Sequence, residues 1–351
     1  MSKSEKIRQF DPSGVGIKND HFIGLPFSEE EAEVVLLPVP WDVTVSYVDG
    51  TAGGPENMLL ASSQLDLMDT YIKDAWKMGI YMRPVSKDLL KKSKQIRKDA
   101  KIYIEALENG DKVEEFPLLQ EILDRINRHC GEVVAWVKEQ SSELISINKI
   151  VGLVGGDHST PLGYLQALAE RYSNFSILQI DAHMDLRESY EGFQYSHASI
   201  FHNALAIPSI QKLVQVGIRD YCEEEIQYVD QQAGRVQVFF DHDIKARQFQ
   251  GETFHHICHQ ILDGLGENVY ISFDIDGLQP FLCPHTGTPV PGGLLLEEAT
   301  YLLQQLVEKG HRIIGFDLCE IAGAPHEWDG NVGARLLYKM ANLAGRSQGR
   351  I

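Results

Sequence analysis

The sequence predicts an α/β fold organised around a mainly parallel sheet, on three observations. Short apolar runs closed by Gly, Pro or Asp recur along the chain. Helically spaced segments lie between most of them, and some runs (Ile177-Leu-Gln-Ile180, Val269-Tyr-Ile-Ser-Phe273) are almost continuously apolar. Strands that alternate with helices imply βαβ units and parallel neighbours. Continuously apolar strands are expected where helices cover both faces of a sheet.

Residues 1–30 are polar, carry several glycines and show no period, so they read as an N-terminal arm. Strands are expected at Val34–Leu37, Ile150–Val154, Phe175–Ile180, Leu213–Val216, Val236–Phe240, Val269–Phe273 and Ile313–Phe316. Helical spacing marks Pro161–Arg171, Glu252–Leu265 and Glu297–Lys309. Gly50-Thr-Ala-Gly-Gly-Pro55 reads as a loop leading into a helix at Pro55; without GxxxxGK it is no phosphate loop. Residues 86–110 hold seven Lys/Arg against four Asp/Glu, with Leu89, Leu90, Ile96, Ala100, Ile104 and Leu107 at helical spacing. A second helix is expected from about Pro117 to Leu144. The stretch at about 86–146 therefore reads as a helical insertion, a solvated hairpin decorating the sheet, with a partner or subunit contact as the alternative. No internal repeat and no low-complexity linker is visible.

Composition narrows the function. The 351 residues carry a formal charge of −18, with 43% hydrophobic and 23% charged residues, which fits a soluble globular chain. The length allows two ordinary domains or one large layered domain. An acidic chain is a poor match for nucleic acid, whose polyanionic backbone dominates binding, and a better one for small cations or metal ions. Five cysteines, widely spaced and never in CxxC, form neither a disulfide framework nor a thiolate zinc site and suit a reducing compartment. The first residues show no secretory signal, and no apolar run approaches the ~18–20 residues of a membrane span. A cytoplasmic protein without membrane or nucleic-acid partners is expected.

Four expected strands end in chemistry: Val151-Gly-Leu-Val-Gly-Gly-Asp-His-Ser159, Ile180-Asp-Ala-His-Met-Asp185, Ile271-Ser-Phe-Asp-Ile-Asp276 and Phe316-Asp-Leu-Cys-Glu320. Ligands bind beyond the carboxyl ends of strands in open parallel sheets, so these clusters can converge. Asp181, His183 and Asp185 alternate and share a side if the strand conformation persists; Asp274 and Asp276 have the same spacing, and His158 adds a second imidazole. Four carboxylates with two imidazoles and no thiolate suit Mn²⁺, Fe²⁺, Co²⁺ or Ni²⁺ better than structural zinc, Ca²⁺ or Mg²⁺. Six ligands with carboxylates able to bridge point to two metals, which in such pairs sit ~3.5–4 Å apart and lower the pKa of a held water towards ~7. Burying such side chains without a cation would be costly.

The combination GGDHS…DAHxD…SxDxD with a late Glu resembles the ureohydrolase (arginase/agmatinase) family from about Val34 to Lys339. The resemblance implies a single catalytic domain over 1–351, a three-layer α/β/α sandwich, and hydrolysis of a guanidino group at a centre of two Mn²⁺ per subunit, with Ni²⁺ or Co²⁺ as alternatives. It places one metal on His158, Asp181, Asp185 and Asp274, and the other on Asp181, His183, Asp274 and Asp276. Attack by metal-bridging hydroxide would then release urea. The resemblance gives Asp276 a proton relay, His197 a proton shuttle suited by its near-neutral intrinsic pKa, and Glu320 a two-point grip on the guanidinium. Asp157 and Ser159 read as turn residues. A homo-oligomer, trimer or hexamer, is likewise implied.

For substrate, the loop Leu186-Arg-Glu-Ser-Tyr-Glu-Gly-Phe-Gln-Tyr-Ser-His197 lacks the Asn/Ser-rich character of arginases and is similar to the agmatinase branch. Where arginases place an Asp for the α-amino group this chain has Cys222, leaving Glu225 as a substrate contact. Agmatine, giving putrescine and urea, is the leading expectation, and a small cationic substrate accords with the charge. In His285-Thr-Gly-Thr-Pro-Val-Pro-Gly-Gly293 the turn role is favoured, with Thr286 or Thr288 offering a hydroxyl to substrate. Gln279 and Ala198 depart from the family pattern and leave other guanidino substrates open: guanidinobutanoate, guanidinopropanoate, guanidine or arginine. Hydrolysis of a formimino or acyl C–N bond, and a metal-loaded binding or regulatory protein, are the alternatives.

Overall fold

The alternation read from the sequence resolves, among the described residues, into eight strands and eleven α-helices. In chain order they are α1 (Lys3–Gln9), β1 (Val34–Val39), α2 (Gly54–Ser62), β2 (Ile80–Met82), α3 (Lys87–Glu108), α4 (Pro117–Ser146), β3 (Ile150–Gly155), α5 (Leu162–Arg171), β4 (Phe175–Ile180), α6 (Ile200–Leu205), β5 (Ile210–Ile218), α7 (Glu223–Gln231), β6 (Val236–Phe240), α8 (Asp241–Phe249), α9 (Phe254–Asp263), β7 (Asn268–Asp274), α10 (Leu296–Glu308), β8 (Arg312–Cys319) and α11 (Glu327–Ser347). The structure, a computed structural model, describes residues 1–17 and 19–351; Lys18 of the expected arm lies outside the described residues.

All strands join one parallel sheet in the order β2-β1-β3-β8-β7-β4-β5-β6. Successive strand residues point to opposite faces, and here they feed two cores. Val34 and Leu36 of β1 and Leu178 and Ile180 of β4 enter one, with side chains from α2, α9, α10 and α11. Val35, Leu37 and Ile177 enter the other, with side chains from α3, α4, α5 and α6. Two apolar cores on one sheet make the three-layer α/β/α sandwich. Every strand that carries a chemical cluster, β3, β8, β7 and β4, lies side by side in the middle of the sheet. Ile180 pairs with Phe273, which sets Asp181 abreast of Asp274 one step beyond.

Besides α6, α7, α8 and α11, helices not marked from the sequence, three elements differ from expectation. Strand β2 is short and flanked by Gly79 and Pro84, too brief to show a period, yet it pairs with β1. Helix α1 interrupts the arm, started by a reciprocal cap in which Glu5 N donates to Ser2 Oγ and Ser2 N to the Glu5 carboxylate. The α3–α4 hairpin is not a solvated decoration, because α4 packs against α5, β1 and β3 and buries Ile122, Ile126, Val133 and Val137. At Gly163 an added Cβ would overlap the Val134 carbonyl oxygen and lie 2.7 Å from the Lys138 nitrogen. Gly163→Ala should therefore wedge α5 from α4 and cost about 1–3 kcal/mol, seen as a lower urea midpoint; an unchanged midpoint would show that this contact yields freely.

Candidate active site

The first cluster is set by a tight exit from β3. Gly156 N donates to Val39 O and Asp157 N to Trp41 O, and a Cβ at Gly156 would overlap the Trp41 carbonyl. Asp157 Oδ1 then accepts from Ser159 N at 3.0 Å, which closes the turn. His158, now buried, presents Nδ1 at 3.0 Å from Asp181 Oδ2, 3.1 Å from Asp185 Oδ2 and 3.4 Å from Asp274 Oδ2. Behind it Nε2 lies 3.0 Å from Ser272 Oγ, which donates to Asp317 Oδ2 at 2.7 Å. The hydroxyl gives its proton to Asp317, so it accepts from Nε2–H and leaves Nδ1 as the nitrogen that would ligate a cation once its own proton is displaced. Such backing is what a metal-ligating imidazole requires. Neither Ser272 nor Asp317 was singled out from the sequence, although both stand inside the quoted motifs.

The second cluster corrects the expected alternation. Strand β4 ends at Ile180, and Asp185 has φ +55°, so the three residues do not lie along one extended face. The loop is held from below instead. Gln179 Nε2 donates to Asp181 Oδ2 at 2.8 Å and to His183 O at 3.0 Å, while Gln215 Nε2 donates to Gln179 Oε1 and Met184 O. Asp181 Oδ2 faces His158, and its Oδ1 lies 3.6 Å from His183 Nδ1. His183 Nδ1 is also 3.1 Å from Asp276 Oδ2. Asp276 Oδ1 accepts from Ala182 N at 3.0 Å, and Asp276 N donates to Asp274 Oδ1 at 2.9 Å. Arg219 pins this turn through the carbonyls of Asp276, Leu278 and Val290. Thus His158/Asp181/Asp185 and Asp181/His183/Asp276 form two groups with potential ligand atoms within 4.8 Å of one another, sharing Asp181.

The electrostatics ask for cations. Burial opposes a charge on His158 and on His183, but the facing carboxylates hold both imidazoles well above their usual pKa. Burial and then the Asp181 charge push Asp185 up to about 7; burial, Asp276 and Asp181 push Asp274 well up. Asp181 goes the other way: burial opposes ionisation, yet His158 and His183 outweigh it. Among the described residues no Lys or Arg pairs with these aspartates. Glu320, at φ +64° and 6% exposed, accepts from His158 N through Oε1, while its buried Oε2 has no partner among the described residues. A hard O/N donor set with surplus buried carboxylate fits two divalent cations.

A cleft of about 200 Å³ opens over this cluster, walled in part by His183, Asp185, His197, Glu225 and Thr288. Burial, then the charges on His183 and His158, pushes the His197 imidazolium down to about 3, against the near-neutral expectation. Glu225, expected as a substrate contact, lines the cleft with both carboxylate oxygens already accepting from backbone. Its Oε1 accepts from Leu186 N and its Oε2 from Cys222 N, both at 3.0 Å, so the carboxylate caps α7 and ties down the loop. Instead Asp220, 67% exposed and 3.9 Å from His183 Nε2, is the cleft carboxylate turned to solvent. Arg187 lies over the Tyr190 ring at 4.9 Å, and Ala198 lines the wall beside His197. Thr286 is buried, with no hydrogen-bond partner for Oγ1 among the described residues.

The Arginase family model matches residues 32–342. The N(1)-aminopropylagmatine ureohydrolase of Thermus thermophilus is 30% identical, the match covering 91% of this chain and 93% of that one. The agmatinase of Neisseria meningitidis serogroup C is 28% identical over 98% of this chain and 99% of its own. In structure, the agmatine ureohydrolase of Thermoplasma volcanium aligns with a TM-score of 0.69 at 23% identity, covering 98% of this chain and 99% of that one. A parallel-sheet hydrolase with this cluster and these relatives is a metal-dependent ureohydrolase acting on guanidino compounds. The chain belongs to the arginase family.

The loop at Tyr190–Phe193 carries one further titrating group. Burial, opposed by Arg97 and assisted by Glu108, raises the Glu191 carboxyl to about 7 from its ordinary 4.5. The folded state holds that proton more tightly than the unfolded chain, so ionisation costs stability above pH 7 and nothing below pH 4.5. Glu191→Gln should raise the melting temperature at pH 8 and leave it unchanged at pH 4.5; an equal shift at both would assign the effect to packing.

Proposed function

We propose that the chain hydrolyses agmatine to putrescine and urea, using two divalent cations held by His158, Asp181, Asp185 and Asp274 on one side and Asp181, His183, Asp274 and Asp276 on the other. The observation that carries the reading is Asp181, which turns one oxygen to each imidazole. When bound, such a pair lowers the pKa of a water and supplies a nucleophile near neutral pH. Glu320 offers its unpartnered Oε2 to the guanidinium, whose planar N–H groups suit a carboxylate. Asp276, as a carboxylate beside that water, would accept its proton. His197 stands on the cleft wall, from which an imidazole would relay a proton to the departing amine. Asp220 meets the distal ammonium in place of Glu225, and Thr288 offers a hydroxyl at the cleft wall.

The names of the two relatives above, both built on agmatine, support a substrate with a cationic tail. One observation favours a second reading: Arg187 stands in the same cleft with no carboxylate partner among the described residues, and it suits a carboxylate tail such as that of guanidinobutanoate. The proposal includes Mn²⁺ as the metal, with Ni²⁺ or Co²⁺ as substitutes, one catalytic domain, a homo-oligomer and a cytoplasmic setting. No helix among the described residues is long and apolar enough to cross a membrane.

Urea release measured across agmatine, arginine, guanidinobutanoate and guanidine, with each metal in turn, tests the reading; highest kcat/KM for agmatine is expected, and formamide or acetate as product would overturn it. Asp274→Ala should abolish metal loading, measured by elemental analysis, together with turnover. Asp220→Asn should raise KM for agmatine roughly fivefold, about 1 kcal/mol for a solvent-exposed ion pair, and spare guanidine; equal effects on both would remove Asp220 from tail recognition.

A further inference from the structure

The helix that its charge pattern sets apart, α3, sends a row of side chains towards the site. Ser93, Arg97 and Lys101 are spaced four apart and share a helix face. All three meet the loop that follows β1. Ser93 Oγ donates to Asp42 Oδ1 at 3.1 Å and accepts from Asp42 N at 3.3 Å. Arg97, with only 8% of its side chain exposed, donates from Nη1 to Val43 O at 3.0 Å and Val45 O at 2.6 Å, and from Nε to Asp49 Oδ2 at 3.4 Å. Lys101 Nζ lies 2.6 Å from the same Asp49 oxygen.

The two carbonyls gripped by Arg97 flank Thr44. Thr44 is wholly buried, and its Oγ1 donates to Asp157 Oδ2 at 3.3 Å, one residue before His158. Ser46, two residues on, shares the cleft wall with His197. The same hairpin also holds the loop that leads into His197. The Tyr103 ring packs on Phe193 at 5.4 Å, Asn127 Nδ2 donates to Gly192 O at 3.1 Å, and Asn127 Oδ1 accepts from Gln194 N at 2.9 Å. A lysine has no planar fork with which to hold two carbonyls and a carboxylate together.

We propose that Arg97 is a positioning residue: it fixes residues 43–46, which wall the cleft beside His197, so that the α3–α4 hairpin serves as the scaffold of the cleft. The proposal rests on the reading of His197 as a proton carrier, and its test separates the two. Arg97→Met and Arg97→Lys are compared with Lys91→Met, an exposed change on the same helix. The measurements are bound metal, hydrogen–deuterium exchange, kcat and KM. Arg97→Met should retain both metals and lose exchange protection over residues 42–49 and 196–199 but not in β4 or β7. Its kcat should fall about tenfold or more, as misplacement of a reacting group does, with KM little changed. Arg97→Lys should recover part of both, and Lys91→Met should match the parent. Unchanged loop exchange and kcat in Arg97→Met would overturn the proposal, as would metal loss in step with kcat. Should Arg97→Met fail to fold, Arg97→Lys carries the comparison: partial loss of loop protection and kcat supports the proposal, and none overturns it. No urea from any guanidino compound with the parent chain would overturn the functional reading alone, and loop exchange would still decide this one.

Discussion

The constraint on which the rest depends is the burial of Asp181, Asp185, Asp274 and Asp276 at one point with His158 and His183. Carboxylates taken from water are costly unless they are paired and hydrogen-bonded. The sheet meets part of that cost with backbone donors: Ala182 N on Asp276, His183 N on Asp181 and Asp276 N on Asp274. What it withholds is a Lys or Arg. Arg219 stands close by yet points its guanidinium at carbonyls, stiffening the turn without neutralising the cluster. The charge deficit is thereby kept for cations that arrive from outside.

The surroundings follow from the same need. Adjacent strands β3, β8, β7 and β4 bring four loops to one spot, and buried polar side chains fix each loop in register. Gln179 and Gln215 hold the turn at His183, the Asp317–Ser272 pair orients His158, and Glu225 caps α7 while holding Leu186 N. Each contact is made by a residue that looks like an ordinary strand or helix position until its partner is seen. Polar networks of this kind rigidify a site when fully satisfied. Among the described residues Gln215 Oε1 and Glu320 Oε2 are left without a partner, the latter beside the cluster.

Much of this was legible in the sequence, for physical reasons. Strand Phe175–Ile180 falls where its apolar run places it, since burial on both faces leaves a strong signal; Val236–Phe240 does so too, although only Val236 is fully buried. The six Asp and His residues stand out because buried charge is rare and clusters at strand ends. Strand β2 left too little pattern to read. The position of Asp185 depends on a left-handed turn that residue spacing does not encode. Glu225 and Asp220 could not be distinguished by spacing: which carboxylate is satisfied by backbone N–H groups and which faces solvent is decided by the packing of α7 against the loop at Leu186. The role of the hairpin was hidden because its basic residues suggested a solvated surface, whereas Arg97, unlike Lys91, Lys94 and Lys98 on the same helix, is buried against the loop after β1.

The most direct test is anomalous diffraction from crystals of the Mn²⁺-loaded protein. Two peaks beyond the carboxyl ends of β4 and β7, one on each side of the Asp181 carboxylate, are the predicted result. A single peak, or manganese bound only at surface carboxylates away from His158 and His183, would contradict a two-cation centre.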